Sequence, residues 1–175
     1  MPSISLNIIR VGSDQFTAAD ETTIRNAIET LRNTYATVGL TLSRVEDYFI
    51  TTAEADGHDV INSDGEAESL TDEWTIANNA VDVFFVKLYV GGVAGLAERD
   101  GPCDKDSKGM TGTVVELSGS TTGQVLAHEV GHYLGLEHED DDDDEANLMY
   151  PSVPNGGTLT ARQGNTMRSH CFVEP

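Results

Sequence analysis

The stretch HEVGHYLGLEH, residues 128–138, constrains this chain more than any other. Two histidines four residues apart on a helix lie one above the other on the same face. Such a pair offers two imidazoles to one metal ion, and a catalytic zinc takes three protein ligands with a fourth position open. The helix cannot turn back on itself to supply the third. Gly135 is where the chain can leave the helix through a left-handed conformation, so that His138 returns toward the metal from the opposite side. Glu129, beside the first histidine, lies on the cleft side of the helix. A carboxylate there can take a proton from a water that the metal acidifies and hand it to a departing amine. With only five His in the chain, the pattern H-E-x-x-H-x-x-G-x-x-H arises by accident at roughly 3 in 100,000. The string therefore reads as a metal site and not as a surface helix with scattered histidines.

The flanking periodicities say what carries that string. Leu126, Val130 and Leu134 recur every four residues and form the core face of a helix expected from about Thr122 to Leu136. Thr121 and Gln124 have the spacing of a capping box at its start. His128 and His132 lie about 200° around the helix from that core face, toward a cleft. Upstream, residues 4–9 read as a first strand. Behind Asp20, the positions Ile24, Ile28, Leu31, Tyr35 and Val38 mark a long helix that Gly39 ends. Leu40–Val45 reads as a second strand and residues 52–72 as a solvated loop in which His58 is a solvated side chain. Val81–Val90 is the most apolar run and reads as a central strand. Val93–Ala97 reads as an edge strand and Thr113–Leu117 as another strand. Thr160 and Gln163 form a second capping-box pattern ahead of a terminal helix, Ala161–His170. This order predicts an α/β (α+β) arrangement whose first units are parallel.

Charge narrows the partners. The 30 Asp and Glu outnumber the 10 Lys and Arg, for a net charge of −20, which repels phosphate backbones and anionic lipid surfaces. Neither nucleic acid nor a membrane is an expected partner, and no run of about 18 apolar residues is present. Met1–Arg10 lacks the basic start and apolar stretch of an export signal. The two cysteines, Cys103 and Cys171, permit one disulfide that would tie the C-terminus to the body.

The motif of His128, Glu129, His132, Gly135 and His138 matches in full the extended zinc motif of the metzincin metallopeptidases, and the chain resembles that clan. Met149, in NLMYP, resembles the clan's methionine turn in matrixin wording, where a buried thioether floors the site without binding the metal. Leu159–His170 resembles the terminal helix of pappalysin-like members. The resemblance implies a metzincin-like zincin fold: a twisted, mostly parallel sheet with an antiparallel edge strand, two long helices and a small C-terminal subdomain. It implies one catalytic domain over residues 1–175, with an upper part of about 1–138 and a lower part of about 139–175. The implied activity is zinc-dependent endopeptidase action on a peptide or protein by a secreted monomer holding one Zn2+. The substrate would lie along Val93, Ala94, Gly95, Leu96 and Ala97, because an edge strand offers unpaired backbone groups to a peptide. A catalytically inactive zinc-containing peptide-binding module of the same fold is the alternative, disfavoured by Glu129 because a purely structural site needs no general base.

The chain departs from its relatives in places. Astacins and serralysins place a Tyr two residues after the turn methionine, whereas Pro151 stands there and Tyr150 directly follows Met149. The acidic run Asp140–Asp144 is either a solvated loop or an oxygen-rich Ca2+ site. Asp104–Gly109 (DKDSKG) resembles the start of a calcium loop but carries Lys108 where Asp or Asn is expected, and Val115 at the twelfth position.

Overall fold

A computed structural model describes residues 1–139, 144–152 and 156–175. β1 (Ser3–Val11) leads into α1 (Ala18–Ala36), which returns to β2 (Thr41–Ile50). Then come α2 (Thr52–Ala55), β3 (Val60–Ile61), α3 (Asp64–Trp74), β4 (Val81–Val86), β5 (Leu88–Tyr89), β6 (Gly95–Ala97), β7 (Gly112–Glu116), α4 (Thr122–Tyr133) and α5 (Ala161–Arg168). The main sheet has the order β2-β1-β4-β7-β6. Its first four strands are parallel, and β6 pairs antiparallel with β7 at the edge. The expected mostly parallel sheet with an antiparallel edge is therefore present.

Strands of a parallel sheet are covered on both faces, so their residues read as continuous apolar runs. All six residues of β4 are buried. Val83 and Phe85 face a core shared with Leu31 and Tyr35 of α1 and Leu126 and Val130 of α4. Phe84 and Val86 face the opposite side, against Ile61, Ala67 and Leu70. That second core explains the largest correction to the sequence reading. Residues 52–72 form α2, β3 and the start of α3 and are not one solvated loop. Their few apolar side chains fall on one side, and Ser63 caps α3 by accepting from the Glu66 N–H. His58 is half-buried there, its Nδ1 3.0 Å from the Ala55 carbonyl.

Smaller differences have local causes. Helix α1 starts earlier than Asp20 because Thr17 is its cap. Asp20 closes the capping box by accepting from the Thr17 N–H. β2 runs to Ile50, in register with β1 to its end. The apolar run 81–90 breaks after Val86, and β5 leaves the main sheet to pair with β3. At α4 the box from Thr121 and Gln124 does not form. A 3₁₀ turn, Gly119–Thr121, leads in, and Thr122 accepts from the Ser118 N–H. The box from Thr160 and Gln163 does form, and α5 ends at Arg168.

Helices α1 and α4 approach closely enough that a Cβ on Gly123 would come within 2.7 Å of the Thr30 side chain. Tyr35, fully buried on α1, donates its hydroxyl to the Ala127 carbonyl of α4 at 2.8 Å. The segment leaving β6 is pinned to the far end of α4, where Asp100 and Gly101 donate N–H groups to the carbonyls of His132 and Tyr133. A disulfide joins Cys103 of that segment to Cys171, with Cα atoms 6.0 Å apart. Lys105 reaches Asp82 of β4 at 2.7 Å, and Asp82 also accepts from Asn7, Thr75 and the Ile76 N–H. Asp82 is fully buried, and a buried carboxylate left without its counter-charge is strongly destabilising. Lys105→Met, which keeps the aliphatic stem and deletes the charge, is therefore expected to cost about 3 kcal/mol. A urea titration checks this, and a loss below ~1 kcal/mol, the worth of an exposed pair, would mean that hydrogen bonds alone hold Asp82.

Candidate metal centre

His128 and His132 face the cleft from the last two turns of α4, and Gly135 sends the chain out of the helix. It takes φ +96°, the left-handed conformation that costs glycine least. The Leu136 N–H donates to the Gly131 carbonyl and the Gly135 N–H to the His132 carbonyl, the paired bonds of a Schellman ending. This turn carries His138 back to the helical pair. The three Nε2 atoms lie 3.0, 3.0 and 3.3 Å from one another.

Hydrogen bonds on the far side of two rings decide what those nitrogens are. Nδ1 of His128 is 2.7 Å from the Leu148 carbonyl, and Nδ1 of His132 is 2.8 Å from the Leu136 carbonyl. A carbonyl oxygen only accepts, so each Nδ1 carries the proton and each Nε2 presents a lone pair. Burial, the largest influence on each ring, pulls His128 below the usual imidazole range and His132 down to about 4. Neutral rings with converging lone pairs repel unless a cation sits between them. A tetrahedral zinc with bonds of ~2.0–2.1 Å sets its ligand nitrogens about 3.3–3.4 Å apart, so the donor set fits such an ion in type, number and spacing.

Glu129 is 7% exposed, and burial pushes its carboxyl up to about 8. A divalent cation held by the adjacent histidines acts in the opposite direction. The side chain has room because Gly95 of β6 has none. A Cβ there would lie 2.8 Å from the Glu129 Cγ and 2.9 Å from Val125. The cleft, of about 470 Å³, is lined by Gly92, Ala94 to Ala97, Arg99, the three histidines, Glu129 and Pro151. Four of the five expected edge-strand residues, Ala94, Gly95, Leu96 and Ala97, thus line it. Val93 packs instead into the second core. Arg99, which is ion-paired with Glu137, is a lining residue that the sequence did not single out.

Met149 is fully buried beneath α4, where a Cβ on Gly131 would come within 3.0 Å of its sulfur. Pro151 lines the cleft, whereas Tyr150 is half-buried beside it and is not among the lining residues described. Residues 140–143 of the acidic run lie outside the described residues. Among the described residues, two groups of potential ligands converge closely enough for an ion: the three histidines, and Cys103 with His170 and Cys171. In the second group the two cysteines are disulfide-bonded to each other. Neither group contains Asp104 or Asp106, and Asp104 instead accepts from the Asp106 N–H in a local turn.

Comparisons with known proteins bear on the family and the fold. Residues 10–171 match a reprolysin-type model described as metallo-peptidase family M12. No curated protein sequence matches the chain. Among solved structures it is similar to metalloproteinase-II from Bacteroides fragilis, with a TM-score of 0.67 and 17% identity. That likeness covers 95% of this chain and 52% of the other, so the chain spans about half of that protein's length. At this identity the likeness concerns the fold. The family match runs from β1 to the C-terminal cysteine and takes in the whole metal centre, and by it the chain belongs to metallo-peptidase family M12.

Proposed function

We propose that this chain is a zinc-dependent endopeptidase in which His128, His132 and His138 hold the ion and Glu129 is the general base. The observation that carries the reading is the convergence of three Nε2 atoms, two with tautomers fixed by main-chain carbonyls, beside a buried carboxylate in an open cleft. When bound, zinc acts as a Lewis acid that polarises a peptide carbonyl and acidifies water. The chain's own residues supply the rest. Glu129 takes one proton from the attacking water as its oxygen bonds to the carbonyl carbon. It then delivers that proton to the amide nitrogen as the C–N bond breaks. Gly95 leaves the carboxylate room to stand on the cleft wall.

The substrate lies extended along β6, whose second edge has no partner strand among the described residues. Main-chain hydrogen bonds of the kind that add a strand to a sheet would orient it. Residues 1–175 act as one catalytic domain, with the part to about residue 138 above the cleft and residues 139–175 below it. Secretion as a monomer is supported by the net charge of −20 and by the disulfide, since disulfides persist in oxidising compartments.

Two measurements test the reading. Zinc added to metal-free protein at a hundred times its dissociation constant should stabilise the fold by about 2.7 kcal/mol, seen as a higher Tm, and His138→Ala should lose most of that shift. An unchanged shift would place the third ligand elsewhere. Glu129→Ala should keep about one zinc per chain while cleavage of a diverse peptide library falls by about 10²–10⁴-fold. Wild-type protein that holds zinc but cuts no peptide in that library would favour the inactive binding module.

A further inference from the structure

Two buried amides lie behind the metal centre. Asn147, in the turn that precedes Met149, is 1% exposed, and Gln163, on the first turn of α5, is 4% exposed. They bond to each other twice: Asn147 Nδ2 donates to Gln163 Oε1 at 3.1 Å, and Gln163 Nε2 donates to Asn147 Oδ1 at 3.0 Å. Neither amide can be turned over. Asn147 Oδ1 accepts from the Met149 N–H at 2.9 Å, and Gln163 Oε1 accepts from the Thr160 N–H at 2.8 Å. A main-chain N–H only donates, so both oxygens are fixed in place and both NH₂ groups must face the partner.

The pair touches both loop segments that complete the site. Asn147 and Met149 bracket Leu148, whose carbonyl fixes the His128 ring. Gln163 Nε2 also reaches Glu139 Oε1 at 3.3 Å, and the Glu139 N–H donates to the Met149 carbonyl at 2.9 Å. Glu139 directly follows His138. One side chain of α5 is thus bonded into the turn that orients one histidine and the irregular segment that delivers another. The capping box at Thr160 accounts for Gln163 Oε1 alone. It gives no role to Nε2, nor to Asn147.

We infer that Asn147 and Gln163 are positioning residues of the metal centre, acting through the Leu148 carbonyl and the Glu139 backbone to hold His128 and His138 in ligating geometry. The inference rests on the three-histidine zinc site proposed above. Partners behind metal-ligating histidines typically contribute about 10–100-fold to metal affinity. Gln163→Glu keeps shape and the Thr160 contacts but sets an acceptor against Asn147 Oδ1 and Glu139 Oε1. Asn147→Asp keeps the Met149 contact but sets an acceptor against Gln163 Oε1.

The test measures zinc affinity of the full chain by competition with a chromophoric chelator. The visible spectrum of the cobalt(II)-substituted protein reports the ligand geometry. Met167→Val, on the buried face of the same helix, serves as a control that lowers stability while removing none of the hydrogen bonds of the amide pair. Gln163→Glu should weaken zinc binding by about 10–100-fold and shift the cobalt bands, while Met167→Val lowers Tm and leaves both unchanged. If Gln163→Glu does not fold, Asn147→Asp is read by the same two measurements and should show the same loss. Zinc affinity within twofold of wild type in the folded amide variant overturns the inference and leaves the zinc site standing. An equal loss in Met167→Val also overturns it, since the effect would follow from stability alone. A wild-type chain that binds no zinc at its histidines removes the site itself, and the inference with it.

Discussion

Two hydrogen bonds from imidazole to main chain set the character of this centre. The carbonyls of Leu148 and Leu136 each hold an Nδ1–H, and that choice of tautomer makes Nε2 of His128 and His132 a donor atom for a metal. Both carbonyls sit where they do because of events outside the helix. Leu136 is turned back over His132 by the left-handed step at Gly135. Leu148 lies in the turn that Asn147 and Met149 close over the buried side of α4. Without those two turns the histidines would still share a helix face, but their rings could rotate and their protons could sit on either nitrogen.

The cleft is equally a product of what is missing. Gly95 lets β6 pass against Glu129 and Val125 at a separation no Cβ would permit, and Gly131 gives Met149 its seat under the helix. The carboxylate therefore stands in a site stripped of most of its water, which raises its affinity for a proton. A divalent cation beside that carboxylate would act in the opposite direction, and the three imidazoles next to it converge closely enough to hold one. Rigidity around this arrangement comes from the α1–α4 packing at Gly123 and from the segment after β6, which the His132 and Tyr133 carbonyls, Lys105 and the disulfide hold down together.

Much of the frame was legible before any coordinates. The long first helix, the parallel first strands and the terminal capping box follow from apolar period, turn residues and a crossover rule, whereas the antiparallel edge was implied by the resemblance to the metzincins. Residues 52–74 were not legible, because three short elements with few apolar residues leave no period to detect. Ala55, Ile61, Ala67 and Leu70 become a pattern only when the second face of the sheet is there to receive them. The break after Val86 does carry a mark, since Lys87 interrupts the apolar run where β4 ends and β5 turns to β3. One charged residue inside an apolar run does not say, however, that the strand changes sheets.

The sequence by itself determined the chemistry on offer: three histidines, a glutamate, a helix end at Gly135 and two cysteines free to pair, at spacings that chain geometry makes meaningful. These are local facts, fixed by bond lengths and by 3.6 residues per turn. Tertiary structure decided what those groups become. The Leu148 carbonyl reaches His128 across 20 residues, and Gln163 reaches Asn147 across 16. Gly95 meets Glu129 between a strand and a helix. No local period encodes such contacts, since each depends on two segments packed against a common core. The local turn at Gly135 is enough to orient His132 through the Leu136 carbonyl. The tautomer of His128 and the burial of the site are set by neighbours that are distant in sequence, and these only the packed fold supplies.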